Sequence, residues 1–289
     1  MATFTAAAVQ MRSGTEVARN VRDMQDMVRE AASRGAAYVQ TPEMTGGLVR
    51  DKDARAAAFT TEDRDPVAAA ASALAAELGI HLHIGSTAIM RADGKLANRA
   101  FLFGPDGRKI ATYDKIHMFD VDLDNGESWR ESSAYEAGRE AVVAALPIAR
   151  LGFAICYDLR FPQLFRAEAL AGAELLSVPA AFTRQTGEAH WHALLRARAI
   201  ENGAFVVAAA QGGRHEDGRE TYGHSLIVDP WGRILAEADH AEPGVIVAEI
   251  DTAAVAAARA KIPNLKNARD FTVRAVDSAA PADLRGAAS

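Results

Sequence analysis

Short apolar runs of β character alternate along the chain with longer runs in which apolar residues recur at helical spacing. FTAAAVQ (4–10) is followed by TEVARNVRDMQDMVREAASRG (15–35), AYVQT (37–41), PVAAAASALAAELG (66–79) and IHLHIGSTAIM (80–90). That alternation predicts an α/β protein whose helices cover sheet faces. In NRAFLFGPDGRKIATYDK (98–115), Pro105, Asp106 and Gly107 supply turn chemistry between two strand candidates, so pairing need not be parallel throughout. FDVDLDNGESWRESSAYEAG (119–138) has no clear period and reads as a long ordered loop, a kind of segment that often carries function.

Beyond that loop the pattern resumes with a strand LGFAI (151–155), a helix near FPQLFRAEALAG (161–172), a strand ELLSVPAAF (174–182), a helix AHWHALLRARAIENG (189–203) and a strand AFVVAAAQ (204–211). The strands YGHSLIVD (222–229) and RILAEAD (233–239) flank the turn DPWG, and GVIVAEI (244–250) precedes a last short helix. The stripe Trp191, Leu194, Leu195 and Ile200 is expected to face either the sheet or a partner subunit. No linker and no fixed-period repeat divides the chain, so one domain is expected over residues 1–276. The small, polar tail 277–289 is expected to be mobile or pinned by another subunit.

Composition narrows the function classes. With 49% hydrophobic residues in 289, the chain has material for a sizeable core, and a net charge of −6 argues against a nucleic-acid partner. The N-terminus lacks a basic segment followed by an apolar run, and no window reaches the roughly 18 apolar residues of a membrane helix. A single cysteine cannot form an internal disulfide, which fits a cytoplasmic protein with a usable thiol.

That thiol is Cys156, placed where the strand candidate LGFAI ends and a helix candidate begins. Such a turn can expose a nucleophile, and the nearby helix N-terminus would favour a thiolate. The competing reading is a buried small hydrophobe, a common fate of free cysteine. A thiol attacking a carbonyl or nitrile needs a base, donors for the developing negative charge and a means of holding water. Glu43 and Lys115, each at the end of a strand candidate, fit those needs, although singly either is an ordinary surface charge.

Three motifs decide the matter. PEM (42–44), DKIHMFD (114–120) with RES (130–132), and CYDLRFP (156–162) resemble, in order and spacing, the signatures of the nitrilase superfamily of carbon–nitrogen hydrolases. The likeness runs from about residue 4 to residue 271. The stretches AAFTRQTGEAHWHALLRARAIEN and YGHSLIVDPWG look most like the branch that contains deaminated glutathione amidase, with omega-amidase a close relative. The resemblance implies a four-layer α-β-β-α sandwich that associates through helices into a homodimer or a higher homo-oligomer. It implies Cys156 as nucleophile, Glu43 as general base and Lys115 as the cation beside the oxyanion, joined by the Tyr157 N–H as second donor. Glu131 would orient Lys115 and the substrate amine, with Glu127 the weaker candidate for that duty. The substrate would be a small-molecule amide.

Arg160, four residues after Cys156, would share a helix face with it if a helix starts at the cysteine. Two readings stay open there: a grip on a substrate carboxylate, or a structural ion pair with Asp158 or Glu168. Phe182, Thr183 and Thr186 follow a strand at its far end, where open α/β sheets place ligand contacts. A metallohydrolase is the rival enzyme class. His81 and His83 share a strand face, but no third ligand is evident, and His190 and His192 point to different faces of a helix, so no catalytic metal is expected. Phosphate-binding GxxxxGK[ST] and dinucleotide GxGxxG patterns are absent, so no cofactor is expected. A noncatalytic scaffold would lack part of the glutamate, lysine and cysteine set, and all three are present.

Overall fold

The computed structural model describes residues 2–123, 126 and 128–275. The expected tail, 277–289, lies outside the described residues. Two six-stranded sheets organise the rest. The first runs in spatial order Gly244–Asp251, Thr3–Gln10, Ala36–Gln40, His81–Met90, Leu96–Phe103 and Lys109–Asp114; the second runs Ile234–Glu237, Leu226–Val228, Phe205–Ala208, Leu175–Ser177, Arg150–Phe153 and Val143–Ala145. In both, central strands pair in parallel and the outer ones antiparallel.

Why the first strand reads as an unbroken apolar run is now plain: both of its faces are covered. Phe4, Ala6 and Ala8 enter the core between the sheets with Leu151, Phe153 and Val206. Ala7 and Val9 enter a second core beneath helices Val17–Ser33 and Pro66–Leu78, against Met24, Val28 and Leu74. The period of two therefore sorts residues between two apolar layers rather than between core and water. Helices Pro162–Leu170 and Arg184–Asn202 cover the second sheet through Phe165, Trp191 and Leu195, completing the four-layer α-β-β-α sandwich. The stripe thus faces the sheet at Trp191 and Leu195, while Ile200 is exposed.

The two sheets approach closely beneath the site. A Cβ on Gly85 would lie 2.1 Å from the Thr41 carbonyl oxygen and 2.3 Å from Pro179, so only glycine lets the Thr41–Pro42 turn and the end of the Leu175–Ser177 strand meet over that strand.

Several elements differ from the sequence reading. The expected loop 119–138 folds in part into a two-stranded hairpin, Asp120–Asp122 with Ser128–Arg130, followed by a 3-10 turn Glu131–Ser133. The strand expected over 174–182 is only Leu175–Ser177, before Pro179, which offers no N–H to a ladder. The helix expected from 189 starts at Arg184, which turns Thr186 from a strand-end residue into a first-turn helical one. A short helix, Lys52–Ala58, is capped by Asp51, whose carboxylate accepts the Ala54 N–H at 2.8 Å.

Candidate active site

Glu43, Lys115 and Cys156 arrive from three separate segments and meet at one end of the paired sheets. All three are buried, with Cys156 7% exposed. The Lys115 ammonium donates to Glu43 Oε1 at 3.0 Å and to Glu131 Oε2 and Oε1 at 2.9 and 3.1 Å. Glu43 Oε2 accepts the Ala181 N–H at 2.8 Å, and the Cys156 thiol stands beside the same carboxylate. Glu131 is fixed from its other side by the Phe119 N–H at 2.7 Å. Of the two glutamates weighed as the lysine's partner, Glu131 occupies the place; Glu127 lies outside the described residues.

Asn98, which carried no sequence expectation, ties the two acids together. Its side-chain amide donates to Glu43 Oε1 at 2.8 Å and to Glu131 Oε1 at 3.1 Å. The signal for it is an uncharged polar residue at a fully buried position of the strand Leu96–Phe103.

The protonation pattern follows from these contacts. Burial raises the Glu43 carboxyl, but the Lys115 charge and hydrogen bonds from Cys156, Lys115 and Asn98 outweigh it and hold the group below the usual carboxylate value. Burial disfavours the Lys115 ammonium, yet Glu131 and Glu43 hold it well above the usual lysine value. Burial and the adjacent Glu43 charge push the Cys156 thiol well above its usual value, against the pull of Lys115. The sequence reading expected a helix dipole to favour thiolate; burial and the Glu43 charge act in the opposite direction.

The local backbone explains why the thiol points where it does. Residues Cys156–Arg160 form a 3-10 turn, and Cys156 itself has φ of 51°, a conformation non-glycine residues rarely adopt. Asp158, fully buried, holds this elbow: it accepts the Ile155 N–H at 2.9 Å, the Tyr113 hydroxyl at 2.7 Å and the His117 N–H at 3.0 Å, with the His117 ring 2.6 Å away. The Cys156 N–H donates to the Pro179 carbonyl and the Asp158 N–H to that of Ile155, so Tyr157 N–H lies between two tied amides, beside the thiol.

A cavity of about 330 Å³ opens onto this cluster. Glu43, Lys115, Glu131, Cys156, Tyr157, Phe182, Thr183 and Thr186 line it, as do Tyr135, Trp129 and the arginines Arg50, Arg55, Arg130 and Arg219. Arg160 does not. Because the turn is 3-10 rather than α, the residue four places after the cysteine leaves its face. The Arg160 guanidinium sits 5.4 Å over the Phe182 ring and reaches His190 at 3.3 Å, and it is paired with neither Asp158 nor Glu168. Asp158 is occupied as above, and Glu168 accepts the Phe153 N–H. Arg219 is held by Asp217 at 2.7 Å and lies 5.1 Å from the Trp129 ring centre. Arg55 makes no ion pair within the described residues.

His83 is buried, bonded to the Tyr38 hydroxyl at 2.8 Å and pushed down to about 3 by burial, so it packs between the sheets as a neutral ring. No helix among the described residues is long and apolar enough to cross a membrane.

The carbon-nitrogen hydrolase family matches residues 5–260. A deaminated glutathione amidase from Yersinia enterocolitica is 39% identical over 266 residues, covering 91% of this chain and 92% of that protein. One from Synechocystis sp. is 37% identical over 274 residues, covering 92% and 98%. The crystal structure of the C. elegans NitFhit protein superposes with a TM-score of 0.86 at 35% identity, covering 93% of this chain and 66% of that longer one.

Proposed function

The chain belongs to the carbon–nitrogen hydrolase family and is an amide-hydrolysing enzyme; on that premise we propose that it cleaves deaminated glutathione through a thioester on Cys156, as a repair amidase of the cytoplasm. The observation that carries this reading is the convergence of thiol, carboxylate and ammonium on the wall of one cavity, with the ammonium bonded to the carboxylate at 3.0 Å.

In the first half-reaction Glu43 takes the thiol proton as Sγ attacks the amide carbon. The oxygen that gains charge is met by the Lys115 ammonium and the Tyr157 N–H. Collapse of the tetrahedral intermediate breaks the C–N bond, and the proton held by Glu43 passes to the leaving amine. Water enters, gives its proton to Glu43 and attacks the thioester; the carboxylic acid leaves and the thiol is restored. Glu131 and Asn98 keep the ammonium and the base in register throughout. Lys115 stays charged because two buried carboxylates face it.

The substrate's carboxylates are proposed to meet Arg55 and Arg219, which line the cavity, rather than Arg160, which does not. Phe182, Thr183 and Thr186 form the wall beside them. A homodimer is proposed as the working form, supported by the exposed apolar residues Leu170, Ile200, Trp231 and Leu235; sedimentation velocity at micromolar protein tests it, and a monomer there would refute it.

The decisive assay is hydrolysis of deaminated glutathione, with alpha-ketoglutaramate and an N-carbamoyl amino acid as comparison substrates and Cys156→Ala as blank. Release of cysteinylglycine at the highest kcat/KM supports the proposal. Preference for alpha-ketoglutaramate makes the protein an omega-amidase, and preference for the carbamoyl compound makes it a carbamoylase.

A further inference from the structure

Away from the cavity, a second cluster gathers two imidazoles and a carboxylate from three elements. His192 comes from the helix Arg184–Asn202, His224 from the segment before the strand Leu226–Val228, and Glu237 from the end of the strand Ile234–Glu237. One ligand atom from each lies within 4.8 Å of both others. None of the three lines the cavity. We infer that this triad is a binding site for a divalent ion of the zinc type.

The donor set is the first argument. Two histidine nitrogens and one glutamate oxygen are a combination that zinc takes in three-ligand sites, with water in the fourth place. Glu237 Oε1 lies 2.7 Å from His192 Nε2 and 3.2 Å from His224 Nδ1. Ligands about 2.0–2.1 Å from a tetrahedral ion stand roughly 3.3 Å from one another. The His224 distance already matches, and the His192 distance needs to widen by about 0.6 Å. Each side chain is a quarter or so exposed, at 30%, 21% and 25%, so an ion can enter and keep a water. Among the described residues no lysine or arginine is paired with Glu237, so no resident cation holds the position.

The second argument is that the rings are held in place by neighbours besides the carboxylate. His224 has φ of 55°, and its ring stacks on Tyr222 with centroids 4.2 Å apart. Its carbonyl accepts the Trp191 indole N–H at 2.8 Å, which ties the segment to the helix one residue before His192. The His192 ring meets the Tyr222 and His224 rings edge-on at 6.0 and 5.7 Å. Strain at a single residue, rings fixed in advance and ligands drawn from helix and sheet together describe a preformed clamp rather than a chance meeting of surface groups.

What the ion would clamp bears on the known site. Thr221 lines the cavity three residues before His224, and the Tyr222 N–H donates to the Phe182 carbonyl at 3.0 Å. Gly187, on the same helix as His192, lies so close to Tyr222 that an added Cβ would stand 2.3 Å from it. Joining helix to strand at the triad braces that wall of the cavity. The hydrolysis takes no step through the ion.

The test uses tag-free full-length protein carrying Cys156→Ser, which removes the thiol as a competing ligand. Zn(II) is titrated against a chromophoric chelator, and Co(II) is added in parallel for its visible absorption. One equivalent of zinc, tetrahedral Co(II) bands and a rise in thermal midpoint with zinc are expected. Glu237→Gln and His192→Gln, near in volume to the residues they replace, should weaken zinc binding by about tenfold or more. They should also abolish the zinc-dependent rise while leaving the metal-free midpoint within a few degrees. No stoichiometric binding, or binding that both variants retain, overturns the site and leaves a hydrogen-bonded His–Glu–His bridge.

Discussion

Two clusters of the same residue types lie back to back in this molecule. Asn98 and Arg99 are neighbours on one strand, and Asp114 and Lys115 are neighbours at the end of the next. Successive side chains on a strand point to opposite faces, so each pair is split. Asn98 and Lys115 meet Glu43 and Glu131 in the site. Arg99 and Asp114 meet Glu62 and Lys109 on the other side. Arg99 grips Asp114 with both arms, at 2.6 and 2.8 Å, and Glu62 is shared between Arg99 and Lys109. That cluster is 20–30% exposed at Arg99, Asp114 and Glu62, and its central cation cannot surrender a proton. The cluster at the candidate site is deeper, is centred on a lysine and includes a thiol beside a carboxylate. The comparison teaches that charge count does not make an active site. A closed, bidentate pair stabilises the fold, whereas a desolvated set with one exchangeable proton and a cavity in front of it can do chemistry.

The sharpest way to break the contrast is at the thiol. Cys156→Ala is expected to lower kcat by about 10⁴-fold or more while the thermal midpoint stays within a few degrees, because the side chain is small and its loss leaves Glu43 and Lys115 paired. Turnover above that floor, measured with deaminated glutathione, would remove Cys156 from the mechanism. Glu43→Gln keeps the shape and one acceptor but loses the base, and a fall of about 10²–10⁴-fold in kcat is expected. An unchanged rate would assign proton transfer to another group.

Asn98→Ala sharpens the comparison, because Asn98 touches both acids but not the thiol. We expect kcat to fall about 10–100-fold with KM little changed, since the loss is one of alignment. If KM rises instead, the residue faces the substrate. Its neighbour should behave in the opposite way: Arg99→Met is expected to cost about 1–3 kcal/mol in urea unfolding and to leave kcat/KM within about threefold. A loss of activity matching that of Asn98→Ala would show that the two faces of the strand are coupled.

The smallest effect concerns pH. Glu43 has a folded value below its unfolded one, so its contribution to stability is present above the unfolded carboxylate value and is lost as pH falls through the depressed folded one. Lys115 has a raised folded value, so its contribution is present below the unfolded lysine value and is lost only as pH rises through the higher folded one. The profile of kcat/KM is therefore expected to be nearly flat between about pH 5.5 and 9. An acid or basic limb inside that window would show that another ionisable group takes part in the proton path.

Most of the architecture was legible in the residue pattern, because it is local. Alternating apolar runs set out the strands and helices, the Pro105–Gly107 turn announced its hairpin, and the three motifs marked Cys156, Glu43 and Lys115, which the fold brings onto one cavity wall. What failed locally failed for stated reasons. The run 119–138 has a hairpin without an apolar period because its strands are short and largely exposed. Pro179 ended a strand that hydropathy alone would have continued.

The site was a different case, since its bonds join residues far apart: 72 positions between Lys115 and Glu43, 55 between Asn98 and Glu43, and 138 between Ala181 and Glu43. The sequence by itself determined which groups are available and that a thiol stands at a strand's end. Only the tertiary structure decided that Asn98 joins the two acids, that a 3-10 elbow turns Arg160 away from the cavity, and that burial beside Glu43 pushes the thiol up. Those outcomes depend on backbone angles at one residue and on how much water two packed sheets exclude, and neither quantity is written in any local stretch of chain.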